Sequence, residues 1–441
     1  MRFTDFDVIN KFFIILEYLD DFLWSYIALL FILMVGSYLT IKSRFFQLRV
    51  LFRPKLFIKD LIACADKNKT GTHPIKLYFA SIGGMIGLGN IVVVVATVTI
   101  GGPGSLIWLW IASIFGMLVK YSEIYLGIKY RLKNTENGYD GGPMYYLKAA
   151  FNNNILPIIV CILLCIYGAE VSQFLILTDT ISNVFSIDKW IAIALLLGLV
   201  LLSAVGGVKR LANICVMLMP PFMFIYIAMG IWVIFDHITE LPTVLNMIWC
   251  SAFSGKSQVC GLLASGMILS AHYGISRAVY SGDIGIGYDS IIQSETQTKF
   301  PEKQARMAVF ALFTDSFICT ITILILLVTG FWKVENLQFS EYVMTALQTY
   351  FSHINYFMAT LFFIAGFTTI VGYLVVGQKC AKFLSPKFGK ILYICYSIFA
   401  FVFFSFCDQN KVILVMSVSG GFLMIINLLG VFKLRKEIKF L

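Results

Sequence analysis

Apolar runs of about twenty residues recur along the whole chain, and each is long enough to cross a lipid bilayer. We read eleven such segments, with approximate bounds 22–42, 74–100, 105–128, 155–178, 189–205, 213–235, 252–298, 307–330, 354–378, 390–406 and 412–432. Of the 441 residues, 59% are hydrophobic and 13% are charged, whereas soluble domains are about half apolar and a quarter charged. The sequence therefore predicts an all-α polytopic membrane protein.

Basic residues alternate between the loops that join these segments. One alternate set of loops holds 25 of the 34 Lys and Arg residues, and the opposite set holds five. Cytoplasmic loops carry an excess of basic residues, so the N-terminus is expected outside and the C-terminus in the cytoplasm. This topology also explains the net charge of +10 without a nucleic-acid partner. Abundant Phe, Ile, Lys and Asn suggest a bacterium, so the inner (plasma) membrane is the expected location.

Two glycine-rich stretches lie inside apolar segments: "GGMIGLGN" at 83–90 and "YSGDIGIGYD" at 280–289. Each glycine costs a helix about 1 kcal/mol relative to alanine, so such clusters favour local unwinding. Unwound backbone survives in a bilayer only where protein or a cavity surrounds it. Close helix packing through the small residues Gly83 and Gly87 is the alternative explanation. Two interruptions, rather than one, favour a transport site.

The two stretches fall in the first and sixth of the ten segments that follow the first one, which we call core helices one to ten. This spacing is expected of two five-helix inverted repeats with a substrate site between them. The predicted division is an N-terminal segment with one extra transmembrane helix (1–45), a first repeat (46–240) and a second repeat (241–441). A half-helix that starts near Leu88–Asn90 would direct unpaired N–H groups at a carboxylate. Freed carbonyls would suit sodium or an ammonium group.

A set of longer phrases resembles one family of carriers. They are "SRFFQLR", "IGLGNI", "GGPGSLIWLWIASIFGMLVKYSE", "GYDGGPMYYL", "GGVKRLA", "RAVYSGDIGIG", "FTDSFICTITILILLVTG" and "FTTIVGY". From about residue 40 to about 435 the chain resembles the alanine or glycine:cation symporters, sodium-coupled carriers of the LeuT-type fold. The resemblance implies alternating-access import of a small neutral amino acid with sodium, and no organic cofactor.

The resemblance also implies the residues of the site. The implied substrate-binding residues are Gly87, Leu88, Gly89, Asn90, Gln173, Ser281, Asp283, Gly285, Thr369 and Tyr373. The implied sodium ligands are the carbonyls of Gly83 and Ile86 and the hydroxyls of Thr368 and Thr369. Ligands that are all oxygen suit a hard cation, although a threonine pair in an apolar helix commonly bonds to its own backbone.

Three departures from the family leave the substrate size and the coupling ion open. The chain has Gly-Asp-Ile-Gly where the family usually has Asn-Glu-Ala-Gly, Glu170 where asparagine is typical, and Tyr373 where tryptophan is typical. A carboxyl group in apolar surroundings favours its neutral form, so Glu170 is a candidate for proton coupling. A solvated acid at a cavity mouth is the other interpretation.

Further ionisable residues at membrane depth are functional candidates because they are costly there. Lys120 and Glu123 are three residues apart on one helix and are expected to pair near its cytoplasmic end. Arg277 is expected to partner Asp283 or Asp315, in a gating or a structural role. Together with Glu170, Arg277 and Asp315 form the predicted coupling and gating group.

Functions other than sodium-coupled import are compatible with parts of the sequence. A proton-coupled amino-acid or other amine carrier is the nearest alternative, because "GLGN" also resembles the neurotransmitter:sodium symporters. An intramembrane enzyme could use Asp283 and Asp315 as a carboxylate pair, but the sequence has no H-E-x-x-H, nucleophile elbow or ATP-binding loop. A channel suits the broken helices less well than a carrier. The cysteines lie mostly in apolar segments, for example Cys161, and are interpreted as small buried hydrophobes.

Overall fold

The computed structural model describes residues 3–63, 70–135, 137–253, 266–334, 337–351 and 354–441. Within these residues, seven helices are long and apolar enough to cross a membrane, and one bent pair of helices makes an eighth span. Three further apolar helices are shorter, with 10 to 17 residues. The prediction of a mostly helical, polytopic membrane protein is confirmed at this level. The beginning of the predicted segment 252–298 lies outside the described residues.

The helices of the first half of the chain occur in the following order. They are α1 (Phe3–Phe22), α2 (Leu29–Lys42), α3 (Phe46–Leu51), α4 (Pro54–Ala63), α5 (Pro74–Met85), α6 (Val94–Thr99), α7 (Ser105–Lys129), α8 (Pro143–Phe151), α9 (Ile155–Tyr167), α10 (Val171–Phe185), α11 (Lys189–Ala204) and α12 (Gly207–Asp236). A π-helical turn, Leu23–Ala28, joins α1 to α2. Between α7 and α8, the strands β1 (Leu132–Lys133) and β2 (Tyr139–Asp140) form an antiparallel pair.

The second half of the chain is also mostly helical. Its helices are α13 (Leu241–Phe253), α14 (Met267–Gly282), α15 (Tyr288–Ile292), α16 (Pro301–Ala305), α17 (Met307–Thr329), α18 (Phe339–Gln348), α19 (Ile354–Leu384), α20 (Gly389–Phe404) and α21 (Gln409–Lys433). Helix α19 passes through the middle of the bundle, because 83% of its most apolar stretch is buried. In α12 only 28% of that stretch is buried, which is the behaviour of a helix that faces lipid.

The first glycine-rich stretch breaks a membrane-spanning helix, as the sequence predicts. Helix α5 ends at Met85, and the chain resumes as a 3-10 turn, Leu88–Asn90, that leads into α6. The two parts are bent by 54°. Gly87 is extended at the break, with φ −120°. The backbone of this stretch is therefore freed from regular helical bonding near the middle of the span.

The second glycine-rich stretch also interrupts its helix. Helix α14 ends at Gly282, and α15 begins only at Tyr288. Asp283, Gly285 and Gly287 have φ values of 52°, 80° and 104°. Left-handed backbone of this kind favours glycine. The two glycines therefore suit this conformation, whereas Asp283 is strained in it. Such strain in a residue other than glycine is concentrated at functional sites.

A third interruption was not predicted. The sequence favoured one continuous segment over 155–178, but α9 ends at Tyr167 and α10 begins at Val171. Glu170 lies between them in a left-handed conformation, with φ 47°. A Cβ atom on Gly168 would lie 2.9 Å from the carbonyl oxygen of Tyr373. The regular helix is therefore interrupted where it approaches α19 closely, and this contact lies too far along the chain to be visible in the local sequence.

Candidate substrate and sodium site

The break between α5 and α6 satisfies most of its own backbone donors. The amide of Gly87 donates to the side-chain oxygen of Asn90 at 3.2 Å, and the amide of Asn90 donates back to the carbonyl of Gly87 at 3.2 Å. The amide of Leu88 donates to Oε1 of Gln173 at 3.3 Å. Of the four amides from Gly87 to Asn90, only that of Gly89 has no hydrogen-bond partner among the described residues. Three of the amides assigned to a substrate carboxylate are thus internally bonded.

Side chains from α10 and α19 meet this break. A Cβ atom on Gly87 would lie 2.6 Å from Oε1 of Gln173 and 2.6 Å from Oγ1 of Thr369. The Nε2 of Gln173 donates to Oε2 of Glu170 at 3.2 Å. Glu170 and Thr369 are each 1% exposed. The structure therefore brings four of the singled-out residues into one buried polar group.

The two threonines of the predicted sodium site differ in what they contact. Oγ1 of Thr369 lies 2.9 Å from the carbonyl of Gly83 at the end of α5 and 3.0 Å from the carbonyl of Ala365 in its own helix, so its hydroxyl can connect α19 to α5. Oγ1 of Thr368 lies 3.0 Å from the carbonyl of Ala365 in its own helix. Ile86, the fourth predicted ligand, lies fully buried directly after α5. Thr369 is therefore already between the two helices that the sodium site was predicted to join.

The break after α14 is stabilised by a lysine from another helix. Nζ of Lys120 donates to the carbonyl of Gly282 at 2.5 Å and lies 2.8 Å from Oδ2 of Asp289. Its distance to Oδ2 of Asp283 is 3.8 Å. On the other side, the hydroxyl of Tyr373 donates to Oδ1 of Asp283 at 2.9 Å. The freed end of α14 is thereby bonded to both α7 and α19.

The predicted pair of Lys120 and Glu123 is wrong. Glu123 instead accepts a hydrogen bond from the amide of Gly285 at 3.1 Å. Both side chains project from one face of α7, and each of them bonds to the second break rather than to the other. The carbonyl of Gly285 accepts from Nδ2 of Asn427 at 2.8 Å, so α21 also holds this break.

Asp315 connects the two breaks. Its Oδ1 accepts from Nδ2 of Asn90 at 2.6 Å, and its Oδ2 accepts from the hydroxyl of Ser281 at 3.0 Å. Among the described residues, Arg277 forms no direct ion pair with Asp283 or with Asp315, although its charge acts on Asp315 from a longer distance. The two aspartates have separate partners and do not form the carboxylate pair that an intramembrane enzyme would need.

Two residues of the second break were not predicted from the sequence as site residues. The ring of Tyr288 fills the space beside Gly84 and Gly372, and its hydroxyl donates to a carbonyl of α5 at 2.9 Å. Asp289 accepts from the hydroxyl of Ser81 at 2.5 Å and pairs with the lysine of α7. Both residues lie within the second glycine-rich stretch, 280–289. The signal was therefore present, but glycine spacing alone did not identify them.

A cavity of about 220 Å³ opens on the side that the loop charges predict to be outside. Residues of α1, α6, α14, α18 and α21 line it. Asp20, Phe339 and Asn410 belong to its outer part by their place in the chain, and Arg277 and Tyr280 lie toward the breaks. The cavity therefore extends from the outer side to α6 and α14, the helices next to the two breaks.

On the opposite side, which is predicted to be cytoplasmic, a polar network joins three segments of the chain. Nζ of Lys379 in α19 lies 2.6 Å from Oε1 of Glu295 and 3.4 Å from Oδ1 of Asp140. Arg131 donates to the carbonyl oxygens of Ser294 and Thr296 at 2.8 and 2.7 Å. These bonds tie β2, α19 and the segment after α15 together beneath the breaks.

Interrupted helices that enclose a buried polar group within a helical bundle define a polytopic membrane transporter. The chain shares its fold with the manganese transporter of Eremococcus coleocola, crystallised as a mutant, at 15% identity over 80% of this chain and 78% of that chain with a TM-score of 0.51. The chain belongs to the sodium:alanine symporter family, whose model matches residues 10–440.

Two relatives whose names state an activity match over most of their length. The probable sodium/glutamine symporter GlnT of Bacillus subtilis is 28% identical over 95% of this chain and 87% of its own. The sodium/alanine symporter AgcS of Methanococcus maripaludis is 25% identical over 85% of this chain and 84% of its own. The family resemblance inferred from the sequence is confirmed. The protein is a membrane transporter of a sodium symporter family, and the enzyme alternative is wrong.

Proposed function

We propose that the chain imports a small neutral amino acid, of the alanine or glycine type, together with sodium across the bacterial inner membrane. Membership of the sodium:alanine symporter family supports sodium coupling. The names of two relatives, a sodium/alanine and a probable sodium/glutamine symporter, both specify a neutral amino acid. The chain crosses the membrane several times, with its N-terminus outside and its C-terminus in the cytoplasm, as its loop charges predict.

The proposed architecture is a LeuT-type pair of inverted repeats, residues 46–240 and 241–441, preceded by an N-terminal segment, 1–45, with one extra transmembrane helix. Broken helices in corresponding places of two repeats are typical of such carriers, and the substrate lies where the repeats meet. The breaks after α5 and α14 support this division, since each belongs to the first core helix of its repeat. Alternating access then needs one helix bundle to rock around the breaks.

The observation that carries the proposal is the contact of Thr369 with the broken helix. Its hydroxyl lies 2.9 Å from the carbonyl of Gly83, so two of the four proposed sodium ligands are already adjacent. Thr368 completes the set when its hydroxyl turns away from its own helix, and the carbonyl of Ile86 is freed by the break. Oxygen ligands of this kind suit a hard cation. The proposed substrate residues from Gly87 to Asn90 continue the same stretch.

Uptake into proteoliposomes tests this proposal. The purified full chain is reconstituted, and uptake of labelled alanine, glycine and glutamine is measured with an inward sodium gradient and with choline in its place. Saturable, sodium-dependent accumulation that also supports counterflow is the expected result. Equal uptake in sodium and choline would contradict sodium coupling, and non-saturable flux without counterflow would indicate a channel.

Proton coupling is the second candidate function, and the position of Glu170 favours it. This carboxyl group is buried and bonds to Gln173, which in turn bonds to the amide of Leu88 in the first break. A change in its protonation would therefore be transmitted to the proposed substrate site through a single side chain. The same uptake assay, driven by a proton gradient without sodium, distinguishes the two candidates.

A further inference from the structure

Arg277 in α14 is a buried cation with no anion at ion-pair distance among the described residues. Its side chain is 4% exposed, and neither Nε nor Nη2 has a hydrogen-bond partner. No ion pair of this residue is present among the described parts of the chain, and its nearest aromatic neighbour is the ring of Tyr280, 4.8 Å away. A buried charge that is neither paired nor hydrogen-bonded is strongly unfavourable. Its retention at membrane depth points to an anion that is bound during function.

The atoms left free on Arg277 indicate the shape of that anion. Nε and Nη2 form one edge of the guanidinium group, and this edge presents two parallel N–H donors. A carboxylate matches such an edge with its two oxygens and forms two hydrogen bonds at once. A spherical halide uses this fork less completely. The free edge therefore favours a carboxylate over chloride.

The surroundings of Arg277 are consistent with a ligand that enters from the outer side. The residue lies in the wall of the 220 Å³ cavity, together with Tyr280. A Cβ atom on Gly89 would lie 2.7 Å from Nη2, so only glycine allows the guanidinium to approach the first break this closely. The amide of Gly89 is also the one amide of the stretch 87–90 without a partner among the described residues.

The acids nearest to Arg277 are already engaged by neutral groups. Asp315 accepts hydrogen bonds from Asn90 and Ser281, and Glu170 accepts one from Gln173. Neither acid forms an ion pair with Arg277 in the described residues. The guanidinium edge therefore remains available for hydrogen bonds, because the two carboxylates accept theirs from side-chain amides and one hydroxyl.

We propose that Arg277 binds the carboxylate of the transported amino acid side-on, with the amide of Gly89 as a further donor. This inference rests on the proposed function and assigns the carboxylate to a side chain, whereas the sequence assigned it to four backbone amides. Three of those amides are bonded within the protein. The guanidinium charge makes the carboxylate a requirement for tight binding.

Binding of three related molecules to the purified full chain tests the assignment. Alanine carries both groups, alaninamide lacks the carboxylate, and propionate lacks the amine. The variants are Arg277→Gln, Arg277→Lys and Gly89→Ala, and the control is Arg210→Gln, which removes an exposed arginine. Arg277→Gln is expected to weaken alanine binding about 100-fold and to leave alaninamide binding unchanged, because only the carboxylate loses its partner. Arg277→Lys is expected to lie between, since the charge stays and the fork is lost.

Two results would overturn the assignment, and a second variant covers the case in which the first does not fold. Wild-type alanine affinity in folded Arg277→Gln, with an unchanged helical circular dichroism spectrum, would overturn the assignment. Chloride dependence of wild-type uptake that disappears in Arg277→Gln, with alanine affinity retained, would overturn it in favour of a halide. Where Arg277→Gln fails to fold, Gly89→Ala decides, because its methyl group displaces Nη2 and should weaken alanine binding but not alaninamide binding.

The failure of the proposed function is distinguishable from the failure of this inference. If the wild-type chain takes up no amino acid with sodium, the proposed function fails. Stabilisation of the wild type by propionate in a thermal shift assay, lost in Arg277→Gln, would still support a carboxylate site at Arg277. No stabilisation by propionate or alanine would overturn the inference as well.

Discussion

The ammonium group of Lys120 lies 2.8 Å from the carboxylate of Asp289, and both side chains are at most 1% exposed. The same ammonium donates to the carbonyl of Gly282 at the end of α14. A lysine thus takes the place of the helical donors that are missing at the second break. The first break lacks such a cation in its immediate bonds and is held by amides and a hydroxyl. The two breaks are similar in sequence but differ in how they are stabilised.

Lys120→Met is expected to destabilise the protein strongly. The substitution leaves the carboxylates of Asp283 and Asp289 buried without their cation, and breaking a buried pair in this way costs about 3–5 kcal/mol. A lower thermal unfolding temperature in detergent measures the effect. The matched control is Lys129→Met, whose pair with Glu437 is exposed and worth about 0–1 kcal/mol. Equal losses in both variants would contradict the central role of the buried lysine, and adding Asp289→Asn should partly restore stability.

Thr369→Val is expected to reduce sodium-driven uptake at least about 10-fold. The isosteric change removes the hydroxyl that bonds to the carbonyl of Gly83, and a lost ligand of a hard cation lowers the affinity for it. The apparent sodium affinity, measured as uptake against sodium concentration, should fall with it. Thr360→Val is the control, because this exposed threonine of the same helix bonds only to its own backbone. Wild-type sodium dependence in Thr369→Val would argue against the proposed ligand set.

The sequence predicted the two glycine-rich breaks because their signal is local. Glycines and polar residues inside an apolar segment weaken a helix wherever it packs. The interruption at Glu170 has no comparable cluster and depends on the approach of Gly168 to the carbonyl of Tyr373 in α19. That contact joins segments about two hundred residues apart. Long-range packing of this kind is not encoded in any short window.

The partners of charged residues were the least predictable part of the site. Helical spacing correctly places Lys120 and Glu123 on one face of α7, but the spacing favours a pair with each other. The structure gives each of them a partner in the second break, because unwound backbone groups in a bilayer need hydrogen-bond partners from the protein. Likewise, a threonine pair in α19 does not reveal which hydroxyl faces α5. Both threonines lie near α5, and the packing of the two helices decides that Thr369 is the one that bonds to it.

Glu170→Gln tests proton coupling. The amide keeps the shape and a hydrogen-bonding oxygen, but it cannot bind or release a proton. If Glu170 carries a proton, uptake that rises with external acidity in the wild type should lose this response in the variant. Asp179→Asn in α10, the helix that follows Glu170, is the control, since this residue is 42% exposed and pairs with Lys189. An unchanged pH and sodium dependence in Glu170→Gln would exclude a proton carrier at this position.

Lys379→Met is expected to weaken closure of the predicted cytoplasmic side. The lysine is 15% exposed and bonds to Glu295 and Asp140 from two other segments, so its loss removes the charge that holds them together beneath the breaks. A transporter biased toward its inward-open form offers fewer outward-facing sites, and the apparent affinity for external substrate falls by the same fraction. We expect a loss of about 10-fold in apparent alanine affinity, measured by uptake.

Two further variants make this expectation specific to the closure. Glu295→Gln removes the partner at 2.6 Å and should lower the apparent affinity in the same direction, since it breaks the same bond. Lys387→Met removes an exposed lysine from the loop after α19 and should leave the affinity unchanged, because a distant exposed charge is screened by salt. If Lys379→Met behaves as Lys387→Met does, the network does not contribute to closure. In that case, packing of Tyr288 between α5 and α19 would have to keep the cytoplasmic side shut.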